Sequence, residues 1–347
     1  MLTLPVIPEP DAISAAAAAA RQARLTKPTG SLGVLESLSV RLAAASARSS
    51  PDISRKAVIV MAGDHGVALE GVSAYPSEVT PQMVLNFLHG GAAINVLARQ
   101  AGARVVIVDV GVMAPLDNVP GLVHRKVAPG TANLAKGPAM TRAQAEQAVQ
   151  AGLDVVRDEI SKGLDLVATG DMGIGNTTPS SAITAVLCGL PVLQVTGRGT
   201  GLDDAALAHK VQIIEQAIAL NHPNPLDAMD VLCKLGGFEI AGLAGVIIGA
   251  AAVRVPVVID GFISGAAALI AAGLAPRVKP YLFASHQSVE LGHRAILEKL
   301  GLRPLFDLEM RLGEGSGAAL AFHILEAAVR TLNEMATFSE AGVSDKE

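Results

Sequence analysis

The sequence predicts an α/β protein in which a parallel sheet is covered by helices on both faces. Short, almost wholly apolar segments such as KAVIVMAG and ARVVIVDV alternate with longer helical segments, which is typical of strands buried on both sides. The chain has 35 glycines and only 3% aromatic residues, which favours helices packed through small side chains. Its 347 residues are many for one compact core, so we expect a large domain with an appendage.

The first half of the chain gives clear element boundaries. Asp11 can cap a helix through AISAAAAAARQARL, and Ser31 can cap a second through LGVLESLSVRLAAASAR. The strand KAVIVMAG follows. One helix is then predicted over PQMVLNFLHGGAAINVLARQ, with Thr80 as its cap and Pro81 in its first turn. The strand ARVVIVDVGV precedes a long helix, TRAQAEQAVQAGLDVVRDEISKG, for which Thr141 is the cap.

The second half repeats the alternation. The strand LDLVATGDMG leads to the helix TTPSSAITAVLCG, and further helices occupy residues 203–252. The strand PVVIDG, the helix FISGAAALIAAG, the strand KPYLFAS and the helix SVELGHRAILEKLG complete the pattern. A last helix over 316–338 has no strand after it and can pack with the first two helices, before a tail that we expect to fray. We therefore predict a small helical subdomain from residues 1–50 and 315–347, and a Rossmann-like catalytic domain over 51–314.

Composition excludes several classes of function. The net charge of −5 and the scarcity of aromatic residues argue against a nucleic-acid partner. The most hydrophobic region, 242–276, is interrupted by Arg254, Pro256 and Asp260, so we expect no membrane span. Cys188 and Cys233 have no paired spacing, and no signal peptide is visible at the N-terminus. These features predict a cytoplasmic protein.

Small or polar residues end several strands, as in GDH, DVG, GDMG, DG and SH. In an open parallel sheet, ligands bind beyond the carboxyl ends of the strands. We therefore expect these segments to meet at one edge of the domain.

Two glycine-rich segments are candidates for phosphate binding. GDMGIGNTT has P-loop spacing between Gly170 and Gly175, but Asn176 stands in place of the P-loop lysine, which favours a monophosphate over a triphosphate. The alternative is a tight turn with a threonine cap. The second segment, GRGTGLDD, precedes a helix that carries Lys210. That lysine is either a phosphate partner or, more often on spacing alone, a solvated surface residue.

A third candidate follows the first strand. Met83, Asn86 and Phe87 share a face of the predicted helix, near Tyr75, and could form a slot for an aromatic ring. Core packing is the favoured alternative. The histidines, including His286 and His293, show no metal-ligand spacing, and neither a GxSxG elbow nor a convincing GxGxxG is present. We expect no metal and no cofactor.

Glu314 lies between two glycines in RLGEGSGAALA, just before an alanine-rich helix. Its carboxylate could cap that helix, where the dipole favours a negative charge. It could instead be a catalytic base, with glycines that let a flat substrate approach the chain. Local sequence alone favours the cap.

Several blocks together are similar to one family, over nearly the whole chain and in order. They are KPTGSLGVLE, MAGDHGV, SAYPSEVTPQMVLNFLHGGAAINVLAR, DVGV, TGDMGIGNTTPSSAI, GRGTGLDD, KLGGFEIAGLAG, VVIDGFISGAAAL, ASHQSVELGH and RLGEGSGAALA. The family is the nicotinate-nucleotide–dimethylbenzimidazole phosphoribosyltransferases. The resemblance implies transfer of the phosphoribosyl group of nicotinate mononucleotide to 5,6-dimethylbenzimidazole with inversion at the anomeric carbon, and a homodimer.

The resemblance also implies roles for individual residues. Glu314 becomes the general base, with flanking glycines that leave room for the ring and a helix start that keeps the carboxylate ionised. Asp171, where the family commonly has glutamate, is either a second carboxylate near the ribose or an organiser of the loop. The other phosphate and ribose residues are Gly173, Gly175, Asn176, Thr177, Thr178 and Lys210, and the base-binding residues are Tyr75, Glu78, Gln82, Asn86 and Leu312. Two rivals stay open: transfer to another base such as adenine, and a nucleotide-binding protein without catalysis.

Overall fold

The protein, described by a computed structural model over residues 2–199 and 201–344, is built on one parallel sheet. Six strands follow the order β3-β2-β1-β4-β5-β6, which confirms the predicted class. Their bounds are β1 Lys56–Gly63, β2 Ala103–Gly111, β3 Val123–His124, β4 Leu166–Met172, β5 Val257–Ile259 and β6 Leu282–Ala284. After β3 the chain crosses to the other side of β1 to form β4, so the strand order reverses between β1 and β4. Ligands of doubly wound sheets bind at such a reversal.

Within the described residues fourteen α-helices surround the sheet. They are α1 Ala12–Gln22, α2 Val34–Ser46, α3 Val79–Leu88, α4 Ala93–Gln100, α5 Arg142–Ser161, α6 Thr177–Cys188, α7 Val192–Val195, α8 Asp204–Asn221, α9 Ala228–Leu235, α10 Phe238–Ala252, α11 Phe262–Leu274, α12 Leu291–Leu300, α13 Ser316–Glu334 and α14 Phe338–Ala341. None of these helices is long and apolar enough to cross a membrane.

Strand β1 shows why both faces of the sheet are covered. Its eight residues are all buried, and alternate side chains enter two different cores. Ile59 and Met61 join the core under α5, α10 and α11, whereas Val58 and Val60 join the core under α2, α3, α4 and α13. The nearly continuous apolar sequence of this strand is the direct result.

Helices from the two ends of the chain contact each other. Arg21 Nε of α1 donates to the carbonyl of Leu332 in α13 over 2.8 Å. Ala18 and Ala43 of α1 and α2 form a small core with the Leu332 side chain. The tail that was expected to fray contains α14, which begins with a Thr337 cap. Residues 345–347 of the predicted helical subdomain lie outside the described part of the chain.

Several predicted boundaries differ from the structure. Asp11 and Thr141 do cap their helices. Ser31 does not, because α2 begins three residues later, after Gly33 with its positive φ of 55°. Thr80 is also not a cap, since α3 already begins at the preceding residue. The predicted strand KPYLFAS shrinks to β6, because its first residues complete a 3-10 turn.

The single helix predicted after β1 is in fact two, α3 and α4. The chain turns at Gly90, with φ of 78°, and Gly91. Asn95 stabilises the break, because its amide donates to the Phe87 carbonyl over 3.0 Å and accepts from the Ala92 N–H over 3.1 Å. The break gives α4 its own N-terminus, with backbone N–H groups that can face another segment.

Helices α5 and α10 pack backbone against backbone, as the glycine content predicts. A Cβ at Gly245 of α10 would lie 2.0 Å from the Val149 carbonyl oxygen, and one at Gly152 of α5 would lie 1.9 Å from the Gly242 carbonyl oxygen. The contact therefore tolerates no side chain at Gly152 or Gly245.

We expect Gly245→Ala to lower the free energy of unfolding by about 3 kcal/mol, because the methyl group forces two helix backbones apart. Urea denaturation followed by circular dichroism measures the change. Gly249→Ala, one turn later, is the matched control: its methyl group meets the Leu153 side chain at 3.2 Å and should change stability by no more than about 1 kcal/mol. Equal stability of the two variants would contradict the backbone clash.

Candidate active site

One cavity of about 520 Å³ opens beyond the carboxyl ends of β4, β5 and β6. Segments far apart in sequence line it, which agrees with the convergence expected from the strand ends. They are Ser73, Tyr75, Val79 and Met83 around the start of α3, residues 171–177 after β4, Gly199, residues 261–263 after β5, His286, Ser288 and Glu290 after β6, and residues 311–314.

The turn that carries Glu314 has an unusual backbone. Gly313, Glu314 and Gly315 have φ angles of 89°, 63° and 90° in succession, so a non-glycine residue occupies the left-handed region. Such a conformation costs about 1–3 kcal/mol and is found where the surroundings enforce it, often at functional sites. Other non-glycine residues of the described chain share a positive φ, but among them only Glu314 also lines the cavity, and the two features together make it a candidate for function.

Gly315, one of the two glycines that flank Glu314, is required for contact with the sheet. A Cβ at Gly315 would lie 2.5 Å from Val58 Cγ1, and a Cβ at Gly170 of β4 would lie 2.4 Å from the Glu314 carbonyl oxygen. The turn thus lies directly on the sheet. The other flanking glycine, Gly313, lines the cavity.

The cap alternative for Glu314 is answered by Asp260, the residue that follows β5. Its carboxylate accepts hydrogen bonds from the N–H groups of Gly315 over 3.3 Å and Ala318 over 2.9 Å. Asp260 therefore caps α13 from another strand, and burial raises the pKa of this carboxyl to about 7. The cap expected of Glu314 is already provided.

The Glu314 carboxylate instead reaches the N-terminus of α4. Its Oε2 accepts from the N–H of Ile94 over 3.2 Å, and the residue is only 6% exposed. Burial raises the pKa of Glu314, and the Ile94 N–H opposes that rise. The helix N-terminus therefore lowers the pKa of this carboxyl, but desolvation has the larger effect and the net shift is upward.

The turn after β4 is closed by its own backbone. The N–H of Asn176 donates to the Gly173 carbonyl over 3.1 Å, and that of Thr178 to the Gly175 carbonyl over 3.0 Å. Gly173, Gly175, Asn176 and Thr177 line the cavity. Thr178 is buried behind it and is not part of the cavity wall.

Asp171 links this turn to the Glu314 turn. Its Oδ2 accepts from the Asn176 side chain over 3.0 Å and would lie 3.1 Å from a Cβ at Gly313. Burial raises the pKa of Asp171 well above its ordinary value, and the nearby negative charges of Asp260, Glu239 and Glu314 add to the rise. The geometry fits the organiser of the loop, one of the two roles left open.

Lys210 is fully buried, so it is not a surface lysine. Its Nζ donates to Thr177 Oγ1 over 2.8 Å and to the Gly197 carbonyl over 3.4 Å. Burial lowers the pKa of Lys210 to about 8, although the charge of Glu290 opposes the change. Thr177 lines the cavity and Lys210 does not, so the ammonium group lies behind the Thr177 hydroxyl to which it donates.

Sequence reasoning did not single out Glu290 and Arg311, which also line the cavity. Arg311 donates to the Gly199 carbonyl over 3.2 Å, and burial raises the pKa of Glu290, with Lys210 opposing. Both residues stand in blocks that carry the family resemblance, so closer attention to charged residues in those blocks could have found them.

The predicted base-binding residues divide into two groups. Tyr75 and Leu312 line the mouth of the cavity and are 55% and 57% exposed. Glu78, Gln82 and Asn86 lie outside the cavity wall, where Val79 and Met83 stand instead. Residues 75, 79 and 83 follow a spacing of four, whereas 78, 82 and 86 follow the adjacent row of the helix surface. Phe87 is buried in the core, which agrees with core packing, the favoured alternative for this residue.

His286 and His293 take different positions. His293 is fully buried and accepts at Nδ1 from the Ser288 N–H over 2.9 Å. His286 lines the cavity and stacks on Phe306, and burial lowers its pKa to about 4, so it is neutral at physiological pH. Among the described residues no group of three or more acidic, histidine or cysteine side chains could hold a metal ion.

Comparisons with known proteins agree with this geometry. A family model described as "Phosphoribosyltransferase" matches residues 7–343. The nicotinate-nucleotide–dimethylbenzimidazole phosphoribosyltransferase of Roseiflexus sp. (strain RS-1) is 63% identical over 97% of this chain and 95% of that protein. The protein of the same name from Geobacter sulfurreducens is 58% identical over 96% and 95%.

Solved structures give the same result. The crystal structure of CobT from Thermus thermophilus is 51% identical, with a TM-score of 0.93 over 96% of this chain and 100% of that chain. The described cavity, the parallel sheet and these full-length matches lead to one conclusion: the chain belongs to the nicotinate-nucleotide–dimethylbenzimidazole phosphoribosyltransferase family.

Proposed function

We propose that the protein transfers the 5-phosphoribosyl group of nicotinate mononucleotide to 5,6-dimethylbenzimidazole, giving α-ribazole 5′-phosphate and nicotinate. One observation carries the proposal: the Glu314 turn and the threonine-containing turn after β4 line the same cavity. The first offers a carboxylate to a ring N–H, and the second offers hydroxyl and backbone donors to a phosphate. The names of the relatives supply the substrate class.

The reaction needs one proton acceptor. The nitrogen of benzimidazole attacks C1′ of the ribose, the C1′–N bond to the pyridinium breaks, and its electron pair returns to the nicotinate ring. The leaving group is already cationic and needs no acid. The proton on the second benzimidazole nitrogen passes to the Glu314 carboxylate, and attack from the face opposite nicotinate inverts C1′. General-base help of this kind contributes about 10²–10⁴ in rate.

The surroundings of Glu314 favour this role. Burial raises its pKa, so the carboxylate is a stronger base than an exposed glutamate. One oxygen is held by the Ile94 N–H, which fixes the orientation of the side chain. A nucleotide-binding protein without catalysis would have no use for a strained, buried carboxylate at this position.

The opposite wall is suited to the phosphate. Thr177 begins α6, a helix of twelve residues whose N-terminus favours an anion. Lys210 adds a positive charge behind the Thr177 hydroxyl. We assign Gly173, Gly175 and Asn176 to the same wall, and Asp171 to the support of both turns.

The acceptor base would lie against Tyr75, Val79, Met83 and Leu312. These side chains offer apolar contact and an aromatic face. They carry few polar groups that could select one aromatic base over another. The alternative acceptors are therefore another benzimidazole or a purine such as adenine. We further propose a homodimer in the reducing cytoplasm; Cys188 and Cys233 are both free thiols.

The test of the proposed function is a competition assay. Purified protein is given nicotinate mononucleotide with equal amounts of dimethylbenzimidazole and adenine, and the products are separated by mass. We expect α-ribazole 5′-phosphate as the main product. Transfer to adenine alone would replace the proposal with the alternative acceptor, and no transfer to either base would refute both.

We expect Glu314→Gln to reduce kcat by about 10²–10⁴, because the amide keeps the shape of the side chain but cannot accept the proton. The melting temperature should stay equal or rise, since the change removes a buried charge. The wild-type rate should fall with decreasing pH around a midpoint above the ordinary glutamate pKa, and the variant should lack this fall. A variant with wild-type kcat would exclude Glu314 as the base.

We expect Lys210→Met to raise the KM for nicotinate mononucleotide about tenfold or more with a smaller effect on the KM for the base, because the positive charge behind Thr177 is lost. Initial rates at varied nucleotide concentration measure the effect. Lys136→Met is the control, since that side chain is 71% exposed and pairs with Glu70 outside the cavity wall. An equal KM for nicotinate mononucleotide in both variants would show that Lys210 has only a structural role.

A further inference from the structure

The hydroxyl of Thr80 forms a hydrogen bond with a segment outside its own helix, whereas the hydroxyl of a helix cap bonds to its own helix. Thr80 lies in the first turn of α3 and is fully buried. Its Oγ1 accepts the N–H of Ile174, the middle residue of the turn after β4, over 3.1 Å. Ile174 lines the cavity. One side chain thus joins the helix of the base wall to the turn of the phosphate wall.

Asp64, the residue after β1, lies near Thr80. Its carboxylate accepts from the Met113 N–H over 2.7 Å, beyond the end of β2. Burial raises the pKa of Asp64, and the Met113 N–H and the nearby Thr80 hydroxyl oppose that rise. The Thr80 side chain thus lies between the end of β1 and the turn after β4.

The turn has little freedom on its remaining side. A Cβ at Gly173 would lie 2.3 Å from the Gly63 carbonyl oxygen, so the turn rests on the end of β1. If the Ile174 N–H lost its acceptor, a buried donor would be left unpaired, which is unfavourable enough to move the chain. A shift here would displace the start of α6, where the phosphate is expected.

We propose that Thr80 is a positioning residue for the nucleotide: its hydroxyl, which accepts the Ile174 N–H, holds the 173–175 turn and the N-terminus of α6 in the geometry that binds the phosphate. The inference rests on the proposed function for the identity of the nucleotide. Thr80 itself is not part of the cavity wall and touches no reacting atom.

The test uses Thr80→Val, which keeps the volume and removes the acceptor, and Thr80→Ser, which keeps it. We expect Thr80→Val to raise the KM for nicotinate mononucleotide about tenfold, equivalent to about 1.4 kcal/mol, with less than about threefold change in kcat and in the KM for the base. Thr80→Ser should stay within about threefold of the wild type in all three constants.

Thr184→Val is the matched control. Thr184 is also fully buried, but its hydroxyl donates to the Ser180 carbonyl inside α6 and lies outside the cavity wall. Melting temperatures are measured for every variant. A Thr80→Val variant with a lower melting temperature but an unchanged nucleotide KM would show a structural role only, and a Thr80→Ser variant as impaired as Thr80→Val would refute the role of the hydroxyl.

Calorimetric titration with nicotinate mononucleotide separates this inference from the proposed reaction. If the wild type binds the nucleotide but gives no product, the proposed reaction is refuted. The ratio of the Kd values of Thr80→Val and wild type still tests the role of Thr80. A ratio near one overturns the inference. Absence of nucleotide binding by the wild type overturns both proposals.

Discussion

The close approach of the Glu314 turn to the sheet determines the arrangement of the active site. Gly170 of β4 and Gly315 bring two backbones together, and Asp260, directly after β5, accepts from N–H groups at the start of α13. The carboxylate of Glu314 is thereby freed from its own helix and directed to α4. The rest of the cavity is arranged around a turn whose position is fixed by backbone atoms.

Acidic groups dominate the interior beneath the cavity. Asp171, Glu239 and Asp260 are all buried there, and Asp171 interacts electrostatically with the other two and with Glu314. Burial works against a charged imidazole, yet the Glu239 carboxylate at 2.8 Å raises the pKa of the buried His65. The raised pKa values of Asp171 and Asp260, and the pairing of Glu239 with His65, reduce the negative charge that these acidic groups carry near neutral pH.

Local sequence predicted most of the sheet, because buried parallel strands leave continuous apolar runs. It missed β3, because two residues are too few to form a pattern. It also predicted α3 and α4 as one helix. The break between them is stabilised by the hydrogen bond from Asn95 to the Phe87 carbonyl, and the spacing of apolar residues does not reveal such a contact. Tyr75 and Leu312 were found at the cavity, whereas the row of α3 that faces it was assigned one residue too early. The cap supplied by Asp260 could not be predicted, because this residue precedes Ala318, whose N–H it accepts, by 58 positions in the sequence.

The division between α3 and α4 separates two properties of the enzyme. Val79 and Met83, which we propose contact the acceptor ring, stand on α3, while the N–H that holds the Glu314 carboxylate stands on α4. Under this proposal, replacement of Val79 or Met83 during evolution would reshape the ring slot without disturbing the proton acceptor. A scaffold of this kind can diversify its choice of aromatic acceptor while the chemistry at the sugar is preserved.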